Sequence, residues 1–391
     1  MRDLRSAAKL HARNGSVRGH RGTWWVGCLF CIGSFSCAST EAAIAPPTPS
    51  PAPPVFSSIS TGNSVLLLPG PAPRSFPSTL SDIGSVSNAV CASCHAEVAA
   101  EWEGSLHKKS WQNGYFSRSY AAEPQEACRA CHAPEGDPDR EPTHDAQRAG
   151  VGCITCHLTP EGIVGTRSLP AAKGGHAVVA NPLLSTPSAC AACHTFPFLD
   201  DPAQHGPMQQ DTIAEHLRSP AADKPCQTCH MPTVQTGRSS HRDHTFQVQG
   251  NAAMLKGAVA VEDVHLETNV LRMTVRPADI GHAFPTGDVF RRAEMRAWPI
   301  NSGGQPIGSV STHVIARTFG VHKGPGGTLA REVVSDTRIV DRRTIQLTLP
   351  AGTKRAAWQI VWQRLPPELA NQLGVTIPNQ ESIVTEGLVS E

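Results

Sequence analysis

Apolar positions along the chain follow three regimes. Beyond residue 250 they recur at every second residue, as in Leu271/Met273/Val275, Ala293/Met295/Ala297, Ile345/Leu347/Leu349 and Trp358/Ile360/Trp362. That is the period of strands with one face on a core. Turn-forming clusters, NSGGQP at Asn301–Pro306 and HKGPGG at His322–Gly327, separate these segments. The pattern predicts a sandwich-like all-β region over 251–391, with one short helix at Pro366–Leu373. Between 85 and 250 only brief helical spacings occur: Val98/Trp102/Leu106 at i, i+4, i+8, and the stretch Gln209–Ser219. Short helices joined by irregular loops are expected there, so the fold class is α + β multidomain.

The first 84 residues follow neither period. Arg2, Arg5, Lys9, Arg13, Arg18 and Arg21 precede the apolar run Thr23–Phe35, which is too short to span a bilayer and has the length of a signal-peptide core. Residues 1–45 are therefore expected to be an export signal. Two ends stay open: Ser36-Cys37, an imperfect lipoprotein-type site that would attach lipid at Cys37, and Ala43-Ile44-Ala45, an ordinary cleavage site. Residues 46–84, with PPTPSPAPP and further prolines among serines, read as an extended linker.

Composition sharpens the picture. A net charge of +1 with 17% charged residues gives no basic stripe for nucleic acid, and a membrane role only through the lipid at Cys37. Aromatic residues make up 5% of the chain, and Gly and Pro number 33 each, so packing by side chains alone is thin and a large apolar cofactor could complete it. Ten of the 13 cysteines fall in five Cys-x-x-Cys-His units: Cys91/Cys94/His95, Cys128/Cys131/His132, Cys153/Cys156/His157, Cys190/Cys193/His194 and Cys226/Cys229/His230. Zinc ribbons use paired Cys-x-x-Cys knuckles but have no need of the adjacent histidine. A redox dithiol needs one copy near a βαβ pattern, and disulfides have no reason to repeat an i, i+3 pairing five times. Covalent haem c accounts for every part: two thiols bond the two vinyl groups of one porphyrin, and the next side chain reaches the iron. Five haem c groups are expected.

Each iron has a second axial position. Outside the motifs and the signal region, eleven histidines remain: His107, His144, His176, His205, His216, His241, His244, His265, His282, His313 and His322. This surplus over irons favours bis-histidine ligation. His107 follows the short helix begun by the first motif, His176 is flanked by Gly174-Gly175, which admit a porphyrin edge, and His144 and His205 rank lower. His313 and His322, in a strand-like segment and a Gly-rich turn, read as surface residues.

The N-terminal half resembles the cytochrome c-554 family of multihaem cytochromes, on CASCHAEVAAEWEGSLH, GVGCITCH at Gly150–His157 and CQTCHMP at Cys226–Pro232. The resemblance implies that His107, in a W-x-x-S-x-H pattern, is a distal haem ligand. It also implies His244, in SSHRDHTFQVQG, and His282, in IGHAFPTGDVFRR at the start of a β-sandwich. Motifs 25 to 37 residues apart bring porphyrins close enough for electron exchange, so the expected function is an electron relay between redox partner proteins in the periplasm or at the outer cell surface. The alternative is a multihaem oxidoreductase of nitrogen- or sulfur-oxyanion type with one open iron. Pentahaem nitrite reductases usually replace one motif histidine by lysine, which none of these motifs does. A third possibility makes the β-sandwich a docking head.

Overall fold

A computed structural model describes residues 87–391 except 172–174, 199–205, 237–238, 247, 249–251, 324–328 and 377–379, together with a strand pair at Ser60–Thr61 and Ser64–Val65. The export signal, its cleavage sites, Cys37 and His205 lie outside the described residues. The described residues from Ser87 to Glu391 belong to one compact unit.

Helices dominate up to residue 256 and are short: α1 (Asn88–Cys94), α2 (Ala96–Gly104), α3 (Gly114–Ala122), α4 (Glu126–His132), α5 (His144–Ala149), α6 (Cys153–His157), α7 (Ser188–His194), α8 (Thr212–Leu217), α9 (Gln227–His230) and α10 (Ala252–Lys256). In a Cys-x-x-Cys-His unit the thiols lie three residues apart, so one helical turn puts both on the same face. Every motif accordingly sits on or ends such a turn: α1 with its C-cap His95, then α4, α6, α7 and α9. Asn113 caps α3 by accepting from the Tyr115 N–H, and Thr143 caps α5 by accepting from that of Ala146. Side-chain packing among the helices is modest. One cluster holds Trp111, Phe116, Tyr120, Ala133 and Ala146; a second holds Ile154 and Leu158.

The C-terminal strands are β1 (Val259–Glu267), β2 (Val270–Pro277), β3 (Arg292–Pro299), β4 (Ser311–Ile315), β5 (Arg317–Lys323), β6 (Leu329–Asp336), β7 (Arg343–Thr348), β8 (Arg355–Gln363) and β9 (Glu381–Ser390). They form an antiparallel sheet β1-β2-β7 and another in the order β4-β3-β8-β9. Both inner faces enter one core: Leu271, Met273, Val275 and Ile345 from the first sheet meet Ala293, Met295, Ala297 and Ile360 from the second. The period-2 reading explains β3, where the alternate positions Arg292, Glu294 and Arg296 form outward ion pairs with each other, Glu368 and Glu381. The short helix expected near Pro366 is α11 (Pro367–Leu373), closed by Gly374 at φ +60°.

Strands β5 and β6 form a separate two-stranded hairpin. His322, expected in a turn, lies on β5, since pairing with Ala330 extends that strand to Lys323. The helical and strand regions pack against each other. Arg317 donates to the Gln209 carbonyl at 2.9 Å, Phe198 meets Phe319 edge-on, and Tyr115 packs on Phe290.

Candidate functional site

The motif helices converge. None of the ten motif cysteines is in a disulfide, and three pairs from different motifs are in hydrogen-bond contact: Cys91 with Cys153, Cys131 with Cys193, and Cys190 with Cys226. The remaining four thiols are placed differently, although the motif pattern treats all ten alike. Cys128 packs against the Trp111 cluster. Cys156 is half-buried on α6, beside the buried Ile154 and Thr155. Cys94 and Cys229 are exposed. The reason is local: α1 buries no residue and α9 buries only Gln227, so the second thiol of each turn meets solvent. Among the described residues, no group of three or more His, Cys, Asp or Glu is arranged to hold a bare metal ion.

Histidine rings pair instead. His95 faces His176 with ring centres 6.1 Å apart, His194 faces His107 at 6.3 Å, His157 faces His244 at 6.2 Å, and His230 faces His282 at 6.3 Å. In each pair one histidine belongs to a motif and the other does not. Two imidazoles bound to one metal from opposite sides, with about 2 Å per metal–nitrogen bond and about 1.1 Å from nitrogen to ring centre, have centres roughly 6.2 Å apart. The four separations match a shared iron.

Hydrogen bonds orient the rings for that role. Nδ1 of His132 donates to Ser110 O (2.9 Å), His157 to Val164 O (3.0 Å), His176 to Ala177 O (3.0 Å), His244 to Arg242 O (2.6 Å) and His282 to Ala283 O (3.0 Å). A ring that donates through Nδ1 to a carbonyl leaves the Nε2 lone pair for a metal. His194 is the exception: Gln210 Nε2 lies 3.1 Å from its Nδ1, so the amide N–H donates to that nitrogen. Burial drives the pKa values of His132, His157, His244 and His282 down, that of His194 to about 4 and that of His107 to about 3, so these rings are neutral at pH 7. A ligating imidazole must be neutral. Buried His107 Nδ1 has no hydrogen-bond partner, and its ring sits edge-on to Phe246.

His132 differs. Phe116 stacks on its ring, 3.6 Å between centres and 6° from parallel, and among the described residues no histidine faces it. His216 and His241 have both ring nitrogens engaged: His216 by the carbonyls of Gly281 and Lys224, His241 by Glu101 and Thr236. His144 and His265 are exposed, and exposed His322 pairs loosely with Glu332. His313, expected at the surface, is half-buried on β4.

Several positioning groups carry no sequence signal of their own. Trp102 Nε1 donates to Val151 O, and the Val151 N–H donates to His107 O, tying the first distal segment to the third motif. The chain passes so close that a Cβ on Gly150 (φ +59°) would lie 2.5 Å from His107 O, and one on Gly152 would lie 2.2 Å from Glu135 Oε1. These contacts account for the glycines of GVGC. Glu135 accepts from Asn88 Nδ2, and Asn88 Oδ1 accepts from the Cys153 N–H, joining the first three motifs. Glu101 accepts from both His241 Nε2 and the His244 N–H, fixing the segment that carries His244.

Residues 90–158 match the family model described as cytochrome c554 and c-prime, a segment holding three of the five motifs. The crystal structure of a penta-heme cytochrome c552 from Thermochromatium tepidum superposes with a TM-score of 0.62 at 19% identity, covering 78% of this chain and 99% of that one. At that identity the match establishes the shared fold. The human F-spondin reeler domain aligns over 27% of this chain and 73% of its own with a TM-score of 0.13 at 20% identity, too low to carry an argument. A search of curated proteins finds no match. Fold and motifs together define a multihaem cytochrome c, with haem c bound covalently. Within that class, residues 90–158 are similar to the cytochrome c554 family, the segment in which the N-terminal resemblance was read.

Proposed function

We propose that the chain carries five haem c groups and relays electrons among them, the Cys-x-x-Cys pairs supplying the thioether bonds. His95 and His176 hold the first iron, His157 and His244 the third, His194 and His107 the fourth, and His230 and His282 the fifth. The four ring pairs at 6.1–6.3 Å carry this reading. Exposed Cys94 and Cys229 keep their place in it, since a thioether bond needs the thiol at the right spacing and not its burial. Haem supplies the one-electron chemistry. The residues fix each iron's ligands, and at the third and fourth irons burial keeps His157, His244, His194 and His107 neutral and desolvated, which bears on the potentials. The basic N-terminus and its apolar run support export, in keeping with multihaem cytochromes of this family, typically periplasmic. Lipid attachment at Cys37 and redox partner proteins as donor and acceptor belong to the same proposal. Among the described residues no helix is long and apolar enough to cross a membrane.

The stack of Phe116 on His132 favours a second reading, in which the second iron is open and reduces a small nitrogen or sulfur oxyanion. One experiment tests both. Mass spectrometry of the denatured protein should show five haem additions, and fewer would overturn the assignment. Reduced protein titrated with carbon monoxide should then bind one equivalent if the second iron is open. Zero equivalents would remove the oxidoreductase reading and leave the relay.

A further inference from the structure

His216 is buried, with 7% of its surface exposed, on α8 between the fourth and fifth motifs. Its Nδ1 lies 2.8 Å from Gly281 O and its Nε2 lies 2.8 Å from Lys224 O. A neutral imidazole offers one donor and one acceptor, so one of these contacts would set a nitrogen lone pair against a carbonyl lone pair in a buried site. Only the imidazolium donates to both. The two carbonyls belong to segments that meet at one haem: Lys224 stands two residues before Cys226, and Gly281 immediately precedes His282. The approach is close, since a Cβ on Gly281 would lie 2.9 Å from His216 Nδ1 and 3.1 Å from the Ala221 Cβ.

We propose that His216 is a positioning residue of the fifth haem: held as an imidazolium, it ties the segment entering Cys226 to the segment ending in His282, and its fixed positive charge raises that haem's reduction potential. The inference rests on the reading of His230 and His282 as that iron's ligands. Reduction adds one electron to the iron, so a nearby cation stabilises the reduced form. A unit charge acting across about 10 Å at an effective dielectric constant near 20 shifts such an equilibrium by roughly a factor of ten. Nearby Glu215 does not cancel this charge directly, since its carboxylate accepts from Arg338 and from Thr286.

The test uses the full holo-protein and redox titration of each haem. In His216→Gln, with five haems attached and the low-spin spectrum retained, one haem should show a reduced-to-oxidised ratio about tenfold lower at fixed potential, the other four being unchanged. His216→Lys, which keeps the charge, should recover much of the shift. A His216→Gln protein with an intact spectrum and no altered potential overturns the proposal. If His216→Gln does not assemble, nitrogen NMR of the reduced, carbon monoxide-treated wild type decides. Two protonated ring nitrogens on His216 support the proposal, and a neutral ring overturns it. A wild type lacking a bis-histidine fifth haem instead overturns the functional reading, a failure visible before any variant is made.

Discussion

Which histidine can bind iron is decided by the second ring nitrogen. His244 gives its Nδ1 to the Arg242 carbonyl and keeps Nε2 for the ring gap opposite His157, whereas His241, three residues earlier, gives Nε2 to Glu101. His244→Ala should therefore convert one low-spin haem to a five-coordinate one that binds carbon monoxide, while His241→Ala leaves every haem six-coordinate or unchanged. Magnetic circular dichroism of the two variants checks the contrast, and identical spectra would refute it. A buried carboxyl gives a second prediction at this scale. Burial pushes Glu135 up to about 7, above its ordinary value of 4.5. Since the folded-state value is the raised one, the stabilisation from keeping Glu135 protonated is complete below pH 4.5 and lost as pH climbs through about 7. Wild type should lose stability relative to Glu135→Gln between pH 5 and about 8, as read by paired thermal melts, and parallel curves would contradict it. The sequence showed the candidate ligands His107, His176, His244 and His282, but nothing in spacing separates them from His216 or His241. That distinction lives in the partner of the other nitrogen, which is a tertiary contact. Thiol exposure is hidden in the same way: Cys156 and Cys229 hold equivalent motif positions, yet one is half-buried and the other open to solvent.

Elements in the helical half are short because each has little apolar surface to bury against another helix. Their packing partners are the turns, the rings and, in the proposed holo-protein, the porphyrins. Helical periodicity was correspondingly faint, visible only in α2 and α8, while the strand periodicity of the C-terminal half was plain, since a sandwich demands alternate burial along every strand. The hairpin β5-β6 escaped that pattern because it lies outside both sheets, with Val321, Val333 and Val334 exposed. Motif glycines are legible only in part: GVGC resembled a family signature, but the reason for it is steric. Gly150 at φ +59° sits against the carbonyls of His107 and Lys108. Gly150→Ala should cost about 1–2 kcal/mol for the left-handed backbone alone, and more for displacing the His107 segment. A lowered denaturation midpoint with a growing high-spin fraction is expected. An unchanged midpoint would mean that the segment yields freely.

At the scale of the whole molecule, the strand region is bonded to the haem region around α8. Glu215, 8% exposed, accepts from Arg338 Nη1 at 2.5 Å and from Thr286 Oγ1 at 2.6 Å. Thr286 also meets Thr212 at 3.1 Å, and Thr212 accepts from Gln210, the residue on His194 Nδ1. A chain of polar contacts thus runs from a proposed iron ligand of the fourth haem to Arg338 in the loop after β6, whose other carboxylate partner is Asp336 at the end of that strand. Removing one partner of a buried ion pair leaves a desolvated charge and typically costs about 3–5 kcal/mol. Asp336 remains on Arg338, so Glu215→Ala belongs at the lower end of that range, with an added loss from the unpartnered Thr286 hydroxyl. In guanidinium unfolding followed by Soret absorbance, the variant should unfold at clearly lower denaturant, and Glu215→Gln, which keeps an acceptor, at an intermediate concentration. Because the same residues flank His216 and the Gly281–Thr286 loop, the weakened variant should also bind one more equivalent of carbon monoxide than wild type, at the fifth iron, as His282 is released. A variant that unfolds earlier while its carbon monoxide stoichiometry stays at the wild-type value would show that the ion pair stabilises the union of the two regions without governing the fifth haem's ligation.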